Sequence, residues 1–202
     1  MSRLASFTAN PNLGHWTAAK HVLRYLAGTR DLGIVYSANN NPERPTKNFY
    51  FYSDADFANN LDCLSISGYT FLLSNGAIMW SSKKQNAVML STAEAEYTAM
   101  AHATKEAIWL RNLFTELGFH QTEPTIIFGD NQSAIAIAKN NQYHQWSKYF
   151  NLRNHFIQDK IKFSSIDIHY CLTASMMAGI FTKALPKPKH SHHTTELRLS
   201  SA

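Results

Sequence analysis

The chain has 202 residues, 45% hydrophobic and 16% charged, enough apolar material for one packed domain and too little charge for a disordered chain. No apolar run approaches the ~18 residues of a membrane span. His15 and Trp16 sit where a secretion signal would need an apolar stretch, and two distant cysteines, Cys63 and Cys171, argue against a disulfide scaffold or a CxxC zinc site. The formal charge of +5, from 19 Lys plus Arg against 14 Asp plus Glu, permits a polyanionic partner without requiring one. The compartment expected from this composition is reducing and cytoplasmic.

Residues 1–35 predict a helix, a turn and a short strand. Trp16, Ala19, Val22, Leu23 and Leu26 recur at helical spacing after Pro11-Asn12, and Gly28 supplies a stop. Gly33 to Tyr36 reads as extended. Ser37 to Lys47 is polar, contains Pro42 and Pro45, and predicts a linker. Beyond it the pattern changes to strands followed by helices. Phe49–Phe57, Ser67–Leu73 and Ala77–Ser81 predict three strands, with Ser74-Asn75-Gly76 turning a hairpin between the last two. Thr92 to Leu117 predicts a long helix with an inner stripe of Ala99, Ala103, Ala107, Leu110, Phe114 and Leu117, ended by Gly118. Next come a strand at Thr125–Gly129, helices at Asn131–Lys139 and Phe156–Phe163, a strand at Ile166–Cys171 and a closing helix at Met176–Leu185. The His-containing residues 189–202 read as a disordered tail rather than a metal site. This order predicts an α/β fold with a mixed sheet and helices on its faces.

Three acidic groupings stand out. Asp54 and Asp56 would share one face of their strand, and Asp130 ends a strand at the sheet edge where α/β folds place their chemistry. Of the two acids opening the long helix, Glu94 fits a capping box with Ser91 and so has a structural role available. Glu96 has none, and it lies about one turn before Ala99 near the inner stripe, where a carboxylate needs a positive partner or a proton. If Asp54, Glu96 and Asp130 converge, an oxygen-rich set of this kind suits Mg²⁺, with Mn²⁺ as a substitute, in phosphodiester cleavage. On spacing alone, ordinary surface or capping acids remain the competing reading.

Seven stretches then carry a resemblance in a fixed order: Tyr52–Ala58, Ser65–Leu73, Trp80–Gln85, Leu90–Tyr97, Lys105–Arg111, Asp130–Ile135 and Phe181–Pro186. In these the chain resembles the ribonuclease H domain of copia-type LTR retrotransposon polyproteins. Residues 1–36 resemble the end of the preceding reverse transcriptase region. The resemblance implies a ribonuclease H-like mixed five-stranded sheet with helices on both faces. It divides the chain into a reverse transcriptase remnant and linker (1–46), a ribonuclease H-like domain (47–188) and a tail (189–202). It also implies Mg²⁺-dependent cleavage of the RNA strand of RNA–DNA hybrids during reverse transcription. Asp54, Glu96 and Asp130 are then the catalytic and metal-binding residues, in a polyprotein with reverse transcriptase and integrase as neighbours. That context is cytoplasmic or a virus-like particle, with no membrane and no obligate oligomer.

Two departures bear on activity. The position that usually holds a fourth carboxylate is Gly179, and no Asp or Glu occurs between Asp167 and Glu196. Asn151 likewise stands where an Asp is usual. A nuclease impaired at one metal position is the first reading. A catalytically silent, decayed domain that binds nucleic acid is the second. In either case Lys83, Lys84 and Lys148 are candidates for phosphate contacts, helped by Lys105 and Arg111, with Trp80, Trp146 or Tyr149 to stack on bases. A solvated face for the lysines, and core packing for Trp80 and Trp109, compete with those roles.

Overall fold

The computed structural model describes residues 2–36, 49–58, 62–140 and 148–201, the side chains of 2–3 and 148–154 excepted. The predicted linker and Trp146 lie outside the described residues. A short helix α1 (Ser2–Ala5) and a longer α2 (Leu13–Gly28) precede strand β1 (Leu32–Ile34). Strands β2 (Tyr50–Asp56), β3 (Ile66–Leu73) and β4 (Gly76–Lys84) follow, then helix α3 (Thr92–Glu116). The remaining elements are β5 (Thr125–Gly129), α4 (Gln132–Lys139), α5 (Lys148–Lys162), β6 (Ile166–Tyr170), α6 (Gly179–Thr182), α7 (Lys187–Glu196) and β7 (Leu199–Ser201). No helix among the described residues is long and apolar enough to cross a membrane.

The main sheet has five strands in the order β4-β3-β2-β5-β6. β2, β3 and β4 form an antiparallel meander, while β5 pairs parallel to β2 and β6 parallel to β5. The β3–β4 turn needs only Ser74 and Asn75, both with positive φ, the mirror-image turn that matches strand twist. β2 is the central strand, and its alternation divides the molecule into two cores. Phe49 and Phe51 face α3, α4 and α5, where they meet Phe71, Tyr97, Ile127 and Ile157. Tyr50 and Tyr52 face the other way, against Leu72, Met176, Met177 and Ala178. Each such side chain removed from water contributes about 1.5–3 kcal/mol.

The helix that matters most for the site is α3. Ala95, Ala99, Ala103 and Ala107 recur every four residues and are all fully buried, so small side chains let the helix axis approach β2 closely. Its N-terminus is fixed by Ser91, whose Oγ accepts from the Glu94 N–H at 3.1 Å. Glu94 returns a bond, but to the Leu90 N–H at 2.7 Å rather than to Ser91 itself. Leu117, predicted as the last inner residue, is exposed because the helix ends one residue earlier and Gly118, at φ +84, turns the chain away.

Three further expectations change. The closing helix over Met176–Leu185 shrinks to the single turn of α6: Met176 and Met177 enter the second core as irregular backbone, and Pro186 disfavours helix in the residue before it. α5 begins at Lys148 rather than Phe156. Residues 189–202 hold most of α7 and all of β7, which pairs with β1 as a two-stranded ribbon. Leu197 and Leu199, invisible as a pattern in a polar stretch, dock this ribbon on the second core. Tyr36, just past β1, donates its hydroxyl to the Ala77 carbonyl at 2.7 Å, and Gly76 has no Cβ to obstruct its ring. α2, by contrast, has no buried residue, and Trp16, Leu23 and Leu26 are all more than half exposed.

Two outcomes follow from this packing. A Cβ on Gly68 would lie 2.6 Å from Thr182 Cγ2 and 3.0 Å from Phe181 Cβ, so Gly68→Ala must push α6 off the sheet. Denaturant unfolding should register a loss of roughly 1–3 kcal/mol, and an unchanged midpoint would show that α6 can shift freely. The second concerns His193, which is buried with its Nδ1 unpaired and its pKa lowered, chiefly by burial and next by His192. A histidine depressed in the folded state contributes stability above the unfolded pKa of ~6.5 that is lost as pH falls toward the lowered folded value. Thermal melts should therefore show the wild type losing stability below pH ~6.5 more steeply than His193→Leu. Parallel pH profiles would refute the role given to His193.

Candidate metal centre

The sheet brings three carboxylates to one end. Asp54 is the fifth residue of β2, and the parallel pairing Tyr52 to Phe128 sets it level with Asp130, the residue that leaves β5. Asn131 caps α4 by accepting from the Ala134 N–H at 3.0 Å, which turns the chain immediately after Asp130 and holds that side chain at the sheet edge. Glu96 comes from the first turns of α3. Its helix is tied to the sheet by Gln85, whose Nε2 donates to Ser67 Oγ at 2.8 Å and to the Ala95 carbonyl at 2.9 Å. One oxygen from each of Asp54, Glu96 and Asp130 lies within 4.8 Å of the others. Asp56 shares the Asp54 side of the strand but stands outside this cluster.

Such crowding has an electrostatic cost that shows in the protonation of the group. The Glu96 carboxyl is pushed up to about 9, by burial first and then by the Asp54 and Asp130 charges, against the opposing pull of a backbone bond from Ala55 and the Lys183 charge. Asp54 is fully buried and also raised, by burial above all. Lys183 and Thr182 counteract this. Lys183 Nζ donates to Asp54 Oδ1 at 2.8 Å, and the Thr182 hydroxyl donates to Oδ2. Burial alone would lower the Lys183 pKa, but Asp54, then Glu96 and Asp130, outweigh it and hold the ammonium charged. The neighbouring Cys171 thiol is pushed up to about 12 by burial and the three carboxylates, so it is protonated at neutral pH.

Three carboxylates with only oxygen donors, two of them largely buried, fit a hard divalent cation such as Mg²⁺ or Mn²⁺. A cation there would relieve the repulsion that raises Glu96.

The remaining sequence candidates fall out unevenly. Lys83 and Lys84 end the edge strand β4 and are exposed, Lys84 pairing with Asp62 at 2.6 Å. Lys83 stands in one cross-strand row with Ser67 and Ala55, two strands or roughly 10 Å from the Asp54 neighbour. The side chains of Lys148, Tyr149 and Asn151 lie outside the described residues, although the backbone there is helical. The Arg111 guanidinium donates to the Gln121 and Glu123 carbonyls and to Thr125 Oγ1, all within 2.9 Å, and so ties α3 to the chain leading into β5. Trp80 and Trp109 are both more than half exposed rather than in the core. Gln85, Thr182 and Lys183 were not singled out from the sequence. Their only signal there is membership in two of the seven matching stretches.

No protein-family model matches the chain. Among curated proteins, it is 38% identical over 187 residues to the retrovirus-related Pol polyprotein from transposon TNT 1-94 of Nicotiana tabacum, covering 92% of this chain and 14% of that one. It is 37% identical over 188 residues to the corresponding polyprotein from transposon RE2 of Arabidopsis thaliana, covering 93% of this chain and 13% of that one. The chain thus spans about one seventh of the length of these relatives. Among solved structures, LC11 ribonuclease H1 in complex with an RNA/DNA hybrid aligns at 12% identity and TM-score 0.46, covering 63% of this chain and 88% of that one. The resemblance carried by the seven stretches and the homology over nine tenths of the chain agree with the sheet order described above. The chain belongs to the retrovirus-related Pol polyproteins of copia-type transposons and has the fold of their ribonuclease H-type domain.

Proposed function

We propose that this domain is a ribonuclease H that hydrolyses the RNA strand of RNA–DNA hybrids with Mg²⁺ or Mn²⁺, impaired by the glycine at position 179. The observation that carries the reading is the convergence of Asp54, Glu96 and Asp130 within 4.8 Å at one end of the sheet. These three residues would hold the ion. When bound, it supplies the Lewis acidity for attack of water on a phosphodiester and for departure of the sugar oxygen. Asp54, fully buried and held at Oδ2 by the buried Thr182 hydroxyl, is the rigid member of the set. Asp130 is the more exposed one. Lys83 and Lys84, exposed at the end of β4, would meet phosphates of the hybrid, Lys84 by giving up its ion pair with Asp62, and their contribution would fall with salt. Lys148 belongs to the same proposed surface on sequence grounds alone.

Residues 1–46 fit the end of a preceding reverse transcriptase region, since α2 leaves Trp16, Leu23 and Leu26 exposed as a helix would whose partner lies elsewhere. Reverse transcriptase and integrase regions of one polyprotein are the partners this reading implies, acting in the cytoplasm.

The competing reading, a silent domain that binds hybrids without cutting them, is favoured by one observation. Gly179 opens α6, whose Thr182 and the following Lys183 grip Asp54, and it brings no carboxylate to the site. A Cβ at Gly179 would meet nothing within 4 Å, so the position accepts a larger side chain. Gly179→Asp should therefore raise Mg²⁺-dependent cleavage of a labelled hybrid tenfold or more, about 1.4 kcal/mol of barrier per factor of ten. Adding Asp130→Asn should remove that gain. Hybrid binding by filter retention with no cleavage in either metal, before and after Gly179→Asp, would establish the silent reading instead.

A further inference from the structure

Asp54 is fully buried, and both its oxygens are already engaged: Oδ1 by the Lys183 ammonium at 2.8 Å and Oδ2 by the Thr182 hydroxyl. The two donors differ in what they can do next. Thr182 is 6% exposed and wedged against Gly68, so its hydroxyl stays where it is. The Lys183 side chain is 35% exposed on a flexible four-carbon stem, so its ammonium can turn out to water. Among the described residues, Lys183 is the one cation in ion-pair contact with any of the three carboxylates. An ammonium and a divalent ion repel each other strongly when both contact one buried carboxylate oxygen.

A second feature fixes why the lysine rests on Asp54. Lys183 lies four residues after Gly179, and its N–H donates to the Gly179 carbonyl at 3.0 Å, so the two positions are neighbours one turn apart. An acidic side chain at position 179 would offer the ammonium a second partner. Glycine offers none and leaves Asp54.

We propose that Lys183 is the internal counter-ion of this centre: it holds Asp54 Oδ1 in the metal-free protein, must leave that oxygen for a divalent ion to be taken, and thereby sets the metal affinity. This rests on the metal-centre reading above. It makes Lys183 a positioning residue that competes with the cofactor, rather than a ligand or a catalytic group.

The test is calorimetric titration of Mn²⁺ into wild type and Lys183→Met, which keeps the stem and removes the charge, with thermal melts in the presence and absence of metal. Lys183→Met should bind Mn²⁺ tenfold or more tightly, melt lower without metal, and recover most of that difference when metal is added. A measurement on the wild type alone does not depend on the variant folding. Amine-reactive labelling of Lys183, read by mass spectrometry, should accelerate severalfold on adding Mn²⁺ as the ammonium leaves Asp54. Wild-type Mn²⁺ binding with unchanged or weaker affinity in folded Lys183→Met, or with no change in labelling, would overturn the counter-ion role and leave the metal centre standing. Absence of Mn²⁺ binding at millimolar concentration in both proteins would overturn the metal-centre reading and this proposal with it.

Discussion

A carboxylate with no solvent exposure in the central strand of the sheet is the constraint on which the rest of this molecule depends. Asp54 sits where β2 passes between two cores, and a buried charge there is tolerated only if both oxygens are satisfied. Thr182 and Lys183 do this from the end of α6. They can reach only because Gly68, directly opposite Asp54 on β3, has no side chain to hold α6 away. The same demand explains why the segment from Met176 to Lys183 is not the longer helix its composition suggests. Two methionines fill the second core, one helical turn then aims two polar side chains inward, and a regular helix of ten residues could not do both.

The other two carboxylates are placed by cheaper means. Asp130 needs only the end of a buried strand and an Asn cap on the next residue. Glu96 needs a helix that comes close, and a four-residue alanine repeat with a glutamine strut provides it. The centre is therefore assembled from elements that pack for their own reasons, with the electrostatic cost concentrated on Glu96 and Asp54.

What was legible in the sequence follows this division. Strands with strict alternation, the Ser74-Asn75 turn and the alanine stripe of α3 are local patterns, and the structure repeats them nearly residue for residue. The separation of Glu94 from Glu96 was also local, since a cap uses the three residues beside it. Contacts between distant residues left no periodic trace. Nothing in Arg111 announces that it clamps the chain leading into β5, and nothing in Leu197 or Leu199 announces a docked ribbon. Lys183 reads as one more basic residue in a basic chain until its partner, 129 positions away, is known.

Gly179 and Lys183 then have to be considered together rather than one at a time. A glycine in place of an acid removes a negative charge from the edge of a centre that already has too many, which by itself eases the repulsion on Glu96. It also removes the one neighbour that would compete with Asp54 for the Lys183 ammonium. The first effect favours the folded, metal-free protein, and the second ties up the oxygen that a cation needs. Both push in one direction, toward a centre that is comfortable without its ion. On the reading proposed above, weakened nuclease activity would come from over-stabilisation of the metal-free site rather than from collapse of its geometry: the three carboxylates still converge within 4.8 Å, and the Lys183 ammonium supplies Asp54 with one positive charge in place of the ion.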